Sequence, residues 1–191
     1  MEIKPVPNPS KVATKWALIS LLCQIVFTYA LQLFNLDMNS PIKWLGVVLF
    51  IVFILATQKE YKDQLDGYMT FGQGFSAGFR YAVFAGLLAG VFSYIYFGIL
   101  SPDVFAKMME PQRAAMEQKG MDAAAIEKGM QMTLKYGAIF AAFGAAIVDT
   151  IIGALGGLVG AAIFKKEKSP ADVLTELENR EAAKEDLDPT A

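Results

Sequence analysis

Residues 16–34 read WALISLLCQIVFTYALQLF, a stretch of 19 residues without a charged side chain. As a helix it is about 28 Å long at 1.5 Å per residue, which matches a hydrocarbon core about 30 Å thick. No pattern of small residues typical of a signal-peptide cleavage site follows it, so we interpret it as an uncleaved helix. The stretch therefore predicts a transmembrane helix.

Three further apolar stretches follow, at 44–56, 79–100 and 136–164. The first of them is short and reaches the required length only with the interfacial residues on either side of it. The last has 29 residues, which is enough to tilt or to project beyond the bilayer. We therefore predict an all-α polytopic membrane protein with four transmembrane helices, whose spans lie at about 15–35, 42–58, 79–100 and 136–164.

The segments outside these spans are predicted to be helical or partly disordered. Residues 101–135 form a short extracytoplasmic segment, which Pro111 and Gly120 divide into two or three amphipathic helices. Aromatic and glycine residues at 61–79 predict an amphipathic helix in the cytoplasmic interface that leads into the third span. The transmembrane domain thus covers 1–168, and an acidic cytoplasmic tail follows at 169–191, beginning as a short helix that frays into disorder.

The composition excludes several classes of function. The chain is 54% hydrophobic and 19% charged, with one cysteine and no histidine. It therefore lacks the residues for a disulfide framework, a Cys/His zinc site, or a Ser-His or Cys-His catalytic pair. We expect no catalytic residue, no metal site, no cofactor and no enzyme activity. With a net charge of −2 and scattered lysines, there is no basic face for nucleic acid.

Basic residues flanking the spans predict the orientation in the membrane. Nine lie on the side of the termini and six on the other side, where matching acids accompany them. We therefore expect both termini in the cytoplasm and the external segment outside. The nine are Lys4, Lys11, Lys15, Lys59, Lys62, Arg80, Lys165, Lys166 and Lys168.

Small residues recur every fourth position in the third and fourth spans. Such stripes let helix backbones approach closely, which is the main packing device inside lipid. We expect the two helices to pack on each other or on a symmetry mate, and a gliding or gating surface is the alternative. The glycines that carry this prediction are Gly74, Gly78, Gly86, Gly90, Gly153 and Gly157.

Asp149 is the one charged residue deep inside a predicted span, 13 residues from one end and 15 from the other. No cation lies at its level, so we expect a largely neutral carboxylic acid that donates a hydrogen bond to Gln24, Thr28 or Tyr94. Gln24 and Thr28 belong to a polar stripe on the first helix that should face protein. The stripe and Asp149 either hold the bundle together or line a wet site for a proton or a cation.

The chain also resembles a known family. The residues that carry the resemblance are GYMTFGQGF at 67–75, FSYIYF at 92–97, and the glycine-rich last span ending in Lys165 and Lys166. They are similar to a family of small bacterial inner-membrane proteins, common in Bacteroidota and catalogued as domain of unknown function 4199. The resemblance implies four helices with a helical external segment and brings no activity, ligand or catalytic residue.

Two hypotheses on function follow. The first is a non-enzymatic membrane module, a homo-oligomer or a binder of a membrane partner protein, which uses the small-residue stripes and the external helices. The second is a small transporter or channel component with a proton or cation site at Asp149. The lipid bilayer is the surrounding medium in both.

Overall fold

The computed structural model describes residues 7–34, 36 and 41–185. Four of its helices are long and apolar enough to cross a membrane, which confirms the all-α fold class with four such helices. The described ranges contain no β-strand, only an isolated antiparallel bridge between Met69 and Lys166. The helices are α1 (Pro9–Leu33), α2 (Lys43–Gln64), α3 (Phe71–Ile95), α4 (Pro102–Gln118), α5 (Ala123–Phe164) and α6 (Pro170–Glu185), with a π-helical turn at Tyr96–Leu100 after α3.

The start of α3 is set by a reciprocal pair of side-chain hydrogen bonds. The backbone N–H of Gln73 donates to Thr70 Oγ1 at 3.3 Å, and the backbone N–H of Thr70 donates to Gln73 Oε1 at 2.9 Å. This capping box begins the helix at Phe71, after a turn in which Asp66 and Gly67 have positive φ values. The predicted interfacial helix at 61–79 is therefore wrong, because its second half is already the first part of α3.

The segment at 101–135 is divided once, into two helices, which is the lower of the two numbers predicted. The chain turns at Gly120, whose φ is +70°, whereas Pro111 lies inside α4. Proline costs a helix one backbone hydrogen bond, but α4 is exposed around Pro111 and Lys107, so the carbonyl that loses its partner can face the surroundings. Beyond the turn, Asp122 caps α5 by accepting from two backbone N–H groups at 3.1 Å.

Helix α5 is continuous over 42 residues, from the external segment to the end of the last span. At 1.5 Å per residue it is about 63 Å long, roughly twice the thickness of a hydrocarbon core. Its first part therefore projects from the bundle, and α4 packs beside it there: a methyl group added at Gly137 would lie 2.8 Å from the ring of Phe105.

The bundle is organised around a central pair of helices, α3 and α5. Helix α2 packs against α1, α3 and α5, whereas α1 packs on α2, on α3 and on the π-helical turn after α3, and not on α5, within the described residues. This arrangement leaves α1 on the opposite side of the bundle from α5, and the space between these helices is where the candidate site lies.

Polar contacts join the helices at the end of the bundle where α1 and α3 begin and α2 and α5 end, which we call the lysine-rich end. Met69 and Lys166 exchange backbone hydrogen bonds of 2.8 and 2.9 Å. Glu60 pairs with Lys15 and accepts from the indole N–H of Trp16 at 2.8 Å. These contacts fix α1 to α2, and the start of α3 to the end of α5.

Candidate functional site

A cavity of about 340 Å³, which we call the central cavity, lies between α1, α2 and α3. Helix α5 contributes Asp149 and Ile152 to its wall, and α4 contributes Met108. The residues from α1 recur every three or four positions, so they form one face of that helix. They are Ser20, Cys23, Gln24, Phe27, Thr28 and Leu31.

Three of the four polar residues singled out in the sequence meet here. Asp149, Gln24 and Thr28 all line the central cavity, although they come from opposite ends of the chain. The Asp149 side chain is half-buried, and no residue that the structure describes forms a hydrogen bond or an ion pair with its carboxyl group. The predicted hydrogen bond from Asp149 to Gln24 or Thr28 is thus not formed in this structure.

Tyr94, the fourth, lies elsewhere. It lines a second cavity of about 420 Å³ between the end of α3, α4 and α5, together with Asp103 and Lys135. Asp149 packs beside Gly86, and Tyr94 is eight residues further along α3, about 12 Å by helical rise and on a different face. The prediction that Tyr94 accepts a hydrogen bond from Asp149 is therefore wrong.

The absence of a side chain at Gly86 makes room for Asp149. A methyl group added at Gly86 would lie 3.0 Å from the carbonyl oxygen of Ala146 and 3.4 Å from Asp149 Cβ. Because α5 can come this close to α3, the carboxyl group of Asp149 reaches the central cavity, part of whose wall is formed by α3. The glycine thus positions the acid.

The other predicted packing glycines also lie at the contact between α3 and α5. Added methyl groups at Gly74 and Gly78 would meet the backbone of Ala161 and Gly157 at 3.2 and 3.1 Å. An added methyl group at Gly90 would lie 3.0 Å from the carbonyl oxygen of Ala142, and one at Gly153 would lie 2.2 Å from Ala82 Cβ. The stripes of the two helices are therefore engaged with each other within one chain.

Gln58 is a buried polar residue that the sequence analysis did not single out. Its side-chain amide donates to the carbonyl of Gly74 in α3 at 3.0 Å and to that of Gly157 in α5 at 2.7 Å. Its Oε1 has no hydrogen-bond partner in the described part of the chain and points at Gly160, where an added methyl group would lie only 1.8 Å away. The amide therefore joins three helices. Its place beside Lys59 at the end of an apolar stretch had suggested a residue at the membrane surface.

Tyr81 was also missed. It is fully buried against Phe50, with ring centroids 5.5 Å apart, and its hydroxyl has no hydrogen-bond partner among the described residues. The Tyr81 hydroxyl is close enough to the Ser20 hydroxyl and the Asp149 carboxyl to interact electrostatically with both. Tyr81 therefore adds a further polar group to the part of the bundle next to Asp149. It directly follows the charged Arg80, so nothing in the local sequence marks it as buried.

The π-helical turn shapes the end of the central cavity that lies farther from the lysine-rich end. Tyr96, the first residue of the turn, is fully buried, and its hydroxyl donates to Gln32 Oε1 in α1 at 3.0 Å. The same side chain lines the cavity next to Phe97. Single π-helical turns are often found at functional sites, where the extra residue changes the direction of side chains.

The central cavity presents one carboxyl group, neutral side chains that carry oxygen atoms, and aromatic rings. No group of three or more His, Cys, Asp or Glu side chains that could hold a metal ion occurs in the described part of the chain. A single buried carboxyl group can bind a proton, or it can balance the charge of one cation.

Comparison with known proteins gives a family. A family model described as Protein of unknown function (DUF4199) matches residues 15–166, a range that includes every residue of the central cavity. No curated protein and no solved structure matches the chain. The resemblance seen in the sequence is confirmed by this match over most of its length, and the chain belongs to the DUF4199 family of proteins of unknown function.

Proposed function

We propose that this protein is non-enzymatic and acts as a small transporter or channel component that binds a proton or a cation at Asp149. The observation that carries the proposal is the central cavity, which Asp149, Gln24 and Thr28 line together. A charged or ionisable residue inside a membrane helix is costly, and in such proteins it typically faces a pathway or a binding site.

A purely structural role in helix packing explains the position of Asp149 less well than a binding role does. An acid that served only to join helices would be expected to hydrogen-bond to a neighbouring helix. Its carboxyl group has no such partner among the described residues, and the contact of α3 with α5 is made by glycine and alanine on either side of it.

The test is ion flux in proteoliposomes that contain the purified protein. Wild type should dissipate an imposed pH or sodium gradient faster than protein-free liposomes, and Asp149→Asn should remove the difference. Asp63→Asn, in the exposed end of α2, is the matched control and should behave as wild type. Wild-type rates equal to those of protein-free liposomes for both gradients would refute the proposal.

A second candidate function is an oligomerising or partner-binding module. Because the small-residue stripes of α3 and α5 engage each other, this function would need another surface. The projecting part of α5 offers one, with large apolar side chains exposed at Met132, Leu134 and Tyr136. Crosslinking in native membranes that yields only monomers would argue against it.

We further propose that both termini lie in the cytoplasm of a bacterium whose inner membrane holds the protein. The support is the clustering of Lys11, Lys15, Lys59, Lys62, Arg80, Lys165, Lys166 and Lys168 at the lysine-rich end, because positive charge favours the cytoplasmic side. A cysteine introduced at exposed Lys119, in the Cys23→Ala background, should react with an impermeant maleimide in whole cells. One at Lys168 should react only after lysis.

A further inference from the structure

We infer that the ligand of the central cavity is an organic ammonium ion with an apolar or aromatic body. This inference rests on the proposed cation site at Asp149 and names the class of cation. The two properties of the cavity that support it are the aromatic character of its wall and its size.

Aromatic side chains from three helices surround the cavity. They are Phe27 from α1, Phe50 and Phe53 from α2, and Phe92, Tyr96 and Phe97 from α3 and its π-helical turn. The face of an aromatic ring attracts an ammonium group within about 6 Å of its centre, and several such rings together are the usual site for quaternary ammonium groups. A hydrated inorganic ion gains less from such walls, because they cannot replace its water.

The charge in the cavity has one sign. Asp149 is the only charged residue among the described residues that line it, and its carboxyl group is free of other partners there. None of the described lysines or arginines lines the cavity, and eight of them lie at the lysine-rich end. One carboxylate therefore matches one cationic group, with Gln24, Thr28 and Ser93 available for a polar substituent.

The size of the cavity favours a molecule over a bare ion. Its volume of about 340 Å³ is more than ten times the roughly 30 Å³ that one water molecule occupies in the liquid. Calcium and magnesium ions need about six or more oxygen ligands at short, defined distances. The cavity instead falls at the lower end of the roughly 300–1,000 Å³ typical of small-molecule sites.

The experiment compares two probes of the same shape. Benzyltrimethylammonium and neopentylbenzene differ in having nitrogen or carbon at the central atom, so only the first is charged. Binding of each to the purified full-length protein is measured in detergent by equilibrium dialysis. Wild type should bind benzyltrimethylammonium at least tenfold more tightly than neopentylbenzene. Asp149→Asn should abolish the preference, and Asp63→Asn should keep it.

A second variant tests the aromatic wall without touching the acid. Phe27→Leu keeps an apolar side chain and removes the ring, so binding of benzyltrimethylammonium should weaken about tenfold while that of neopentylbenzene changes little. Equal weakening of both probes would overturn the role of the ring. All variants are compared at matched monodispersity by size-exclusion chromatography.

The outcomes separate this inference from the proposed function. If wild type binds both probes equally, or binds neither while protons or sodium ions still cross in an Asp149-dependent way, the ammonium ligand is refuted and the cation site stands. If neither probe binding nor ion flux depends on Asp149, both fail. A preference for the charged probe that survives in Asp149→Asn would also overturn the assignment.

Discussion

The side chain of Gln58 makes Gly160 a position in α5 where a small change should be costly. The two hydrogen bonds of the Gln58 amide hold its Oε1 against Gly160, at 1.8 Å from an added methyl group. Alanine at Gly160 would push the amide away from both carbonyls. We expect Gly160→Ala to lower the free energy of unfolding by about 1–3 kcal/mol, measured by denaturant titration of the purified protein in detergent.

The same helix provides the control for this prediction. An added methyl group at Gly144 meets no atom within 4 Å, so Gly144→Ala should be neutral or stabilise by up to about 1 kcal/mol through helix propensity. In a Gln58→Ala background the cost of Gly160→Ala should fall by more than half, because the amide is gone and only the end of the Leu55 side chain, at 2.8 Å, still lies close. Equal costs of Gly160→Ala in both backgrounds would show that the amide is not the cause.

At this scale the sequence revealed the polar residues that stood out from their neighbours. Asp149, Gln24 and Thr28 are polar within long apolar stretches, and their shared level along the spans was readable from residue counts. Gln58 and Tyr81 stand next to Lys59 and Arg80, where polar residues are expected, so nothing in the local pattern marked them as buried. Their burial depends on how α5 crosses α2 and α3, which is a tertiary property.

At the scale of helices, the contact between α3 and α5 is set by residues that have almost no side chain. Gly153 faces Ala82, with 2.2 Å between the added methyl group and Ala82 Cβ and 3.3 Å to Ala82 Cα. Neither atom can rotate away, so Gly153→Ala must separate the two helices. We expect a loss of about 3 kcal/mol in unfolding free energy. Adding Ala82→Gly should recover most of it, and a double variant no more stable than Gly153→Ala would contradict the direct contact.

The spacing of the small residues predicted which helices could pack closely, and the helical period decided which of these residues touch. A step of four residues turns 400°, so a stripe with that spacing drifts by about 40° per step around the helix. In α5 the contact face instead runs through Ala142, Ala146, Gly153, Gly157 and Ala161. A spacing of exactly four residues counted back from Gly153 and Asp149 passes through Ala145 and Ala141, and it therefore leaves the interface in the half of α5 nearer its N-terminus.

Helix α6 outside the membrane should respond to acid. The backbone N–H of Ser169 donates to the Asp172 carboxylate at 3.0 Å, and this bond, followed by the Ser169 hydroxyl, holds the pKa of Asp172 below its usual value. Because the folded pKa is depressed, the carboxylate stabilises the helix above the unfolded pKa of about 3.9, and this is lost as the pH falls through the folded pKa. Amide hydrogen exchange in the first turn of α6 should therefore quicken, relative to unstructured peptide amides, as the pH drops from 6 to 3.

Two variants check this assignment. Asp172→Asn should show weak protection of the same amides already at pH 6, with little further change on acidification. Glu178→Gln, at an exposed site later in the same helix, should titrate as wild type. An acid response that persists in Asp172→Asn would assign the effect to another group.

For the molecule as a whole, α1 is the helix on which access to the central cavity depends. It is held by polar contacts at both of its ends, through Lys15 and Trp16 to Glu60 and through Gln32 to Tyr96. Between these contacts it borders the cavity and has no contact with α5 in the described structure. The pair of α3 and α5 forms the fixed part of the bundle, and loosening one end of α1 should open the cavity.

The one cysteine of the chain reports on such opening, because half-buried Cys23 lines the central cavity. Tyr96→Phe removes the hydrogen bond to Gln32 and keeps the ring, so α1 should separate more often at its C-terminal end. A lost interhelical hydrogen bond of about 1 kcal/mol corresponds to a roughly fivefold faster modification of Cys23 by methyl methanethiosulfonate. Tyr94→Phe, whose hydroxyl lies outside this cavity, should leave the rate unchanged. Equal rates in wild type and Tyr96→Phe would mean that the cavity is reached by another path, and acceleration by both variants would mean general loosening of the bundle.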